Sequence, residues 1–226
     1  MWPTSVEDLQ RLQVELAERA RGEPAWQPPA DRAVRVGGVF VASPQGRAGL
    51  GARGEPAWVA AVVLEAGVTL ATLIARGHFD AAYAPGLLAL REGRLLAEAV
   101  AGLAQAQDVV ILNASGRDHP RRAGLALHVG AACGIPTLGV TDRPLLAEGP
   151  QPGPQRGARA ELRLEHELVG YRLRTRAGAR PVVVHAGWRV EADTACAIVL
   201  QVDGASRTPA PLREARRLAR TARAGG

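Results

Sequence analysis

The sequence predicts an α/β fold: a mixed sheet in which an antiparallel three-stranded meander is followed by parallel strands, flanked by helices. Three observations carry this. Strand-like apolar runs lie close together at 33–42, 58–64 and 68–76, a long helical stripe follows them, and short apolar strands then alternate with helical segments. With 226 residues and 47% hydrophobic composition, the chain can bury one sizeable core, so a single domain over 1–226 is expected.

Residues 4–21 read as an amphipathic helix, with Thr4 or Ser5 as the cap and Leu9, Leu12 and Leu16 recurring at helical spacing. A proline-rich loop follows at 22–31. The heptapeptide at 20–26 recurs word for word at 52–58, but the first copy sits in a linker and the second leads into a strand, which makes it a local duplication. Only Glu65, Ala66 and Gly67 separate the second and third runs, a hairpin-length connection. Over 86–105 the residues Leu88, Leu95, Leu96, Ala99, Val100 and Leu103 form a helical stripe, and 108–112 is a short apolar strand. Beyond it come a helix at 121–133, a strand at 135–140, a strand pair at 168–176 and 181–185, a helix at 190–202 and a basic terminal helix at 211–223. The Pro-, Gly- and Gln-rich segment 149–157 is the expected mobile loop. Three antiparallel strands followed by this alternation is the arrangement of ribonuclease-H-like folds.

Composition limits the chemistry. All 28 basic residues are Arg, so no Lys can serve as base, Schiff-base former or phosphate ligand, and anion contacts fall to Arg, His or backbone amides. The formal net charge is +6, concentrated late in the chain: residues 151–189 hold eight Arg against three Glu, and 207–223 six Arg against one Glu. That asymmetry fits a polyanionic partner; solvated helix faces and compositional drift are the alternative. Cys133 and Cys196 lie far apart and outside metal-ligand spacing, which argues against a disulfide framework and a zinc site and leaves them as buried thiols. No run of about 18 apolar residues occurs and the first ten residues are mixed in polarity, so neither a membrane span nor a signal peptide is expected, and the cytoplasm is the expected compartment.

Two places concentrate polar chemistry. Glu92 follows Leu88 by four residues and precedes Leu96 by four, which puts a carboxylate on the buried face of its helix. Such a group is either paired with an Arg at the edge of the core or a metal ligand, because an unpaired buried carboxylate is costly. The second place is the polar, basic loop 113–126, just past the strand at 108–112, where sites in α/β sheets gather.

Several stretches together resemble the endonuclease V family, which cuts nucleic acid near deaminated adenine (inosine) using magnesium. They are Tyr83-Ala84-Pro85-Gly86-Leu87-Leu88 with Arg91-Glu92-Gly93, His119-Pro120-Arg121 with Gly124-Leu125-Ala126, His128 and Gly130, Ile135 through Val140, and Pro209, Pro211, Arg213 and Ala215. The likeness runs in order from about residue 5 to 223. It implies catalytic positions at Glu92 and His119, a strand-separating wedge at Tyr83, Ala84 and Pro85, and further nucleic-acid contacts at Gly116, Arg121 and Arg122. It also implies Mg2+ as cofactor, nucleic acid as partner (DNA or RNA, with inosine), no membrane, and a monomer.

Departures fall on the metal site. Of the two aspartates that the resemblance implies as ligands, one position is Phe40 and the other Asn113, leaving Glu92 and Asn113 as the remaining metal candidates. The family's Lys falls on Asp142 and its Gly-His pair reads Gly187-Trp188. Magnesium uses one or two carboxylates plus waters and substrate phosphate, and a phenyl ring at position 40 offers no oxygen and is expected to push into the ion's space. Asp118, Asp142, Glu191 and Asp193 are the acids available to rebuild a site beside Glu92 and His119; alternatively Asp118 and Asp142 pair with Arg117, Arg121 or Arg143. Trp26, Trp58 and Trp188 are expected to pack, with Trp188 also placed to stack on a base. Three readings follow: a nucleic-acid-binding protein of this descent with hydrolysis lost or severely weakened, an active Mg- or Mn-dependent endonuclease with a rearranged metal site, and an interaction protein on the same scaffold that has left nucleic acid.

Overall fold

The computed structural model describes residues 2–45, 51–202 and 206–225. Helix α1 (Val6–Gly22) starts at Ser5, whose hydroxyl accepts the Asp8 amide at 3.1 Å, resolving the choice of cap. Its buried stripe is Leu9, Leu16, Ala17 and Ala20, with one polar member, Gln13. Strands β1 (Arg35–Ala42), β2 (Pro56–Glu65) and β3 (Val68–His78) form the antiparallel meander. Ala66 (φ 48°) and Gly67 (φ 83°) make the two-residue turn between β2 and β3, both left-handed as a tight hairpin of this hand requires.

Helix α2 (Leu88–Ala101) is shorter than the expected span 86–105: it starts two residues later, because Pro85 and a left-handed Gly86 (φ 74°) hold the preceding loop out of the helix, and it ends before Leu103. Strand β4 (Val109–Leu112) is followed by a long loop and α3 (Leu125–Cys133). The expected start of α3 at residue 121 shifts because Arg122 is left-handed (φ 57°) inside a turn closed by its own amide on the His119 carbonyl. Then come β5 (Thr137–Thr141), β6 (Arg159–Leu164), β7 (Glu167–Leu173), β8 (Val182–His185), α4 (Ala192–Gln201) and α5 (Ala210–Ala224). Strand β6 has no counterpart in the sequence reading. It is an edge strand with Leu162 as its one buried residue, so charged side chains mask the alternation.

The eight strands form one sheet in the order β3-β2-β1-β4-β5-β8-β7-β6. Its parallel part is β1-β4-β5; β8 returns antiparallel to β5. Apolar clusters cover both faces, one built on α1, α2 and α3, the other on α4 and α5. Helix α5 lies so close to β1 that a Cβ on Gly38 would meet the Pro211 carbonyl at 2.3 Å. This contact brings the arginines of α5 to the end of β1, where the chemistry is expected.

Candidate functional site

Parallel pairing aligns Val39 of β1 with Leu112 of β4, so Phe40 and Asn113 follow side by side where β4 ends, two residues before the end of β1. A cavity of about 300 Å³ at this edge is lined by Phe40, Glu92 and Asn113 together with Tyr83, Leu88 and Leu96. The three positions that the resemblance grouped are therefore neighbours. A second cavity of about 200 Å³ adjoins it, sharing Tyr83, Leu88, Asn113 and Ala114, and is lined further by Gln13, Ala84, Pro85, Gly86, His119, Thr141 and residues 143–145. Tyr83 is exposed and borders both.

Glu92 sits on the inner side of α2 between Leu88 and Leu96, as its spacing required. Burial pushes its pKa up to about 7, opposed by the charge of Arg91. The expected arginine partner is absent among the described residues. Arg91 turns instead to Glu55 at 3.3 Å, to the carbonyls of Ala52 and Ala81, and over the Phe79 ring.

The loop 83–86 is held from behind. The Gly86 carbonyl accepts from His119 Nε2 at 3.1 Å and from Gln13 Nε2 at 3.2 Å, while Gln13 Oε1 accepts from Arg121 at 3.3 Å. The Arg121 amide donates to His119 Nδ1 at 3.2 Å, so Nε2 carries the proton and both ring nitrogens are committed to the backbone. Burial lowers the pKa of His119, in keeping with a neutral ring. His119 lines the second cavity rather than the one with Glu92. Gly116 is a point of close approach: a Cβ there would meet the Ala186 carbonyl at 1.9 Å. Arg122 points away from both cavities and clamps the β6–β7 turn through the Leu164 carbonyl at 3.1 Å and Glu165 at 3.0 Å.

The other acids do not gather around Glu92. Asp118 is fully buried and accepts the amides of Leu145, Leu146 and Ala147 at 2.7–2.8 Å, so neither a rebuilt site nor an Arg pair describes it. It anchors the loop whose residues 143–145 wall the second cavity. Buried His185 lies behind it, its Nδ1 3.7 Å from Asp118 and its Nε2 2.8 Å from the Thr141 hydroxyl. Asp142 pairs with Arg207 at 2.6 Å and Arg180 at 3.7 Å instead of the neighbours expected from sequence, and Arg207 holds its pKa down. Glu191 pairs with Arg117, and Asp193 with Arg159. Among the described residues no group of three or more His, Cys, Asp and Glu side chains is placed to hold a metal ion. Trp188 is buried between α1 and α3, so base stacking is closed to it.

The residue that sequence reasoning missed is Arg216 of α5. It donates to Asn113 Oδ1 at 3.3 Å, and its guanidinium lies 5.2 Å from the centre of the Phe40 ring. That ring packs into apolar clusters containing Leu212, Ala215 and Ala219 of α5, so it is taken up by the α5 side of the sheet. These residues do not fit a hydrated magnesium ion. Among the described residues Glu92 is the one carboxylate lining the cavity, Phe40 has no side-chain oxygen, and Asn113 already faces a cation. A helical signal for Arg216 exists: it shares α5 with the buried positions Leu212, Ala215 and Ala219, one residue off their stripe.

The family model for Endonuclease V matches residues 16–217. An Endonuclease V of Streptomyces avermitilis is 37% identical over 223 residues, covering 98% of this chain and 93% of the relative. The crystal structure of the Streptomyces avermitilis protein superposes with a TM-score of 0.86 at 36% identity, over 98% of this chain and 94% of the other. The Ciona intestinalis Endonuclease V, solved with a 24mer DNA containing an inosine followed by a ribo-adenosine, shares the fold at a TM-score of 0.74 and 19% identity, over 96% and 97% of the two chains.

Proposed function

This chain belongs to the endonuclease V family, and from that premise we propose that it is a nucleic-acid-binding protein whose metal-dependent phosphodiester hydrolysis is lost or severely weakened. The observation that carries the reading is the cavity of Phe40, Glu92 and Asn113 with Arg216 against it. Two-metal hydrolysis needs ions to activate water and steady the leaving oxygen. A single carboxylate beside a guanidinium supplies neither the charge nor the oxygen ligands for that. The wedge loop, by contrast, is intact and pinned from behind, and α5 presents arginines along its exposed side. Those arginines favour nucleic acid over an interaction role that has left it.

Inosine-containing DNA and RNA are the probes, following the family resemblance. The expected result is binding that falls steeply as salt rises, with no cleavage above a protein-free control in magnesium or manganese. Metal-dependent cleavage that disappears in Glu92→Ala would overturn this reading and establish the rearranged site.

The bracket behind the wedge gives a second expectation. Gln13→Leu leaves the Gly86 carbonyl with His119 alone, at a cost of about 1 kcal/mol for the lost bond. Titration of inosine-containing DNA should then show affinity lowered roughly fivefold with the melting temperature little changed, since the lost bond orders a surface loop. Unchanged affinity would remove the wedge loop from the interface.

A further inference from the structure

We propose that Arg216 takes over the charge that a metal ion would bring to this edge of the sheet, so that a nucleic-acid phosphodiester docks on its guanidinium directly and needs no divalent cation. The inference rests on the nucleic-acid reading above and specifies the contact.

The sequence places Arg216 on α5 one residue after buried Ala215, and the packing of α5 on β1 delivers its side chain to Phe40 of β1 and to Asn113 at the end of β4. There it is half-buried between Phe40, whose ring face attracts a cation, and the neutral oxygen of Asn113. An aspartate at 113 would neutralise it; the amide orients the guanidinium and leaves its charge unspent. Its Nε is shielded from water and has no acceptor among the described residues. No carboxylate forms an ion pair with Arg216, Arg213 or Arg220 among the described residues, while Asp142 is taken by Arg207 and Arg180. Burial and the neighbouring Arg220 lower the Arg216 pKa, opposed by the more distant charge of Asp142.

A groove of about 440 Å³ runs from this point along α5, lined by Arg213, Arg216, Arg217 and Arg220. The four recur at helical spacing over about 10 Å of the helix, which sets a row of guanidinium groups along one groove. Guanidinium forks match phosphate oxygens two at a time, and a chain without Lys has no other long cation to offer. Replacement of an ion by a fixed side chain has a definite consequence. Binding becomes indifferent to chelators, and Arg216 becomes worth one released counterion.

The test is fluorescence anisotropy with a labelled inosine-containing oligonucleotide, titrated in EDTA and again in magnesium, at several salt concentrations. Wild-type affinity should agree in the two conditions within about twofold. Arg216→Ala should lose roughly tenfold in both, and the slope of log affinity against log salt should fall by about one. Arg216→Lys, keeping charge without the fork, should fall between them. Arg163→Ala, a paired surface arginine on β6, should match wild type. Thermal melting of each variant separates lost contact from lost fold, and a destabilised Arg216→Ala is replaced by Arg216→Gln in the comparison. Binding that needs magnesium, or that survives unchanged in both neutral variants, overturns the assignment of Arg216 while leaving nucleic-acid binding in place. A wild-type protein that binds in neither condition overturns that broader reading, and this one with it.

Discussion

Asp118→Ala should lower the unfolding free energy by about 4 kcal/mol, more than any other polar truncation in the site. The carboxylate is fully buried and accepts three backbone amides, Leu145 on one oxygen and Leu146 and Ala147 on the other, all at 2.7–2.8 Å. Each bond to a charged acceptor is worth about 1.5–3 kcal/mol, and alanine leaves all three donors without a partner. Their sum is reduced because the 145–147 segment relaxes toward water. For a chain of this size the midpoint falls by roughly 10 °C. Asp118→Asn separates hydrogen bonding from charge. Its oxygen keeps the Leu146 and Ala147 bonds, its amide loses the Leu145 donor, and that same amide faces His185 Nδ1, a buried atom with no partner now. Asparagine should therefore cost less than half as much as alanine. Denaturant titrations at constant slope measure both, and a midpoint for Asp118→Ala within error of wild type would mean that the loop carries no tension on this carboxylate.

The position of Asp118 also shows where sequence stops being informative. Periodicity located twelve of the thirteen elements, because burial on one face of a helix or two faces of a strand leaves a direct mark on residue order. It missed β6, where an edge strand exposes most of its side chains. In the site, the grouping of Phe40, Glu92 and Asn113 was legible through the resemblance and the strand ends, and Glu92 through its i, i+4 apolar neighbours. Partners at long sequence separation were not. Asp118 meets amides 27 to 29 residues away, Asp142 meets Arg207 at a separation of 65, and Arg216 meets Asn113 at 103. Sequence proximity suggested Arg117, Arg121 and Arg143 for those acids, and chain geometry chose otherwise. Gln13 was likewise hidden, a polar residue inside an apolar stripe whose reason is the Gly86 carbonyl on another element.

Glu92→Gln should stabilise the protein above neutral pH and leave it unchanged in acid. Burial raises the folded-state pKa of Glu92 from 4.5 to about 7, so between these values the folded chain holds a proton that the unfolded chain has released. Stability then falls as pH rises through the window, and the penalty is complete above about 7. At ~1.4 kcal/mol per unit the ceiling is about 3 kcal/mol. The buried histidines act with the opposite sign. Burial lowers His128 and His185 from 6.5 to about 4, so the unfolded chain takes up protons first on acidification and stability is lost as pH falls through that range. Wild type thus has two opposed slopes that partly cancel near pH 5–6. The histidines are common to both proteins and drop out of the difference. Glu92→Gln minus wild type should rise from near zero at pH 4.5 to a plateau of about 3 kcal/mol above pH 7. A flat difference would show that solvent reaches the carboxylate. The same curve probes the cavity, because an ion bound at Glu92 would favour the carboxylate, remove the wild-type fall and flatten the difference. With Arg216 on Asn113 and no second acid lining the cavity among the described residues, magnesium should leave the difference unmoved.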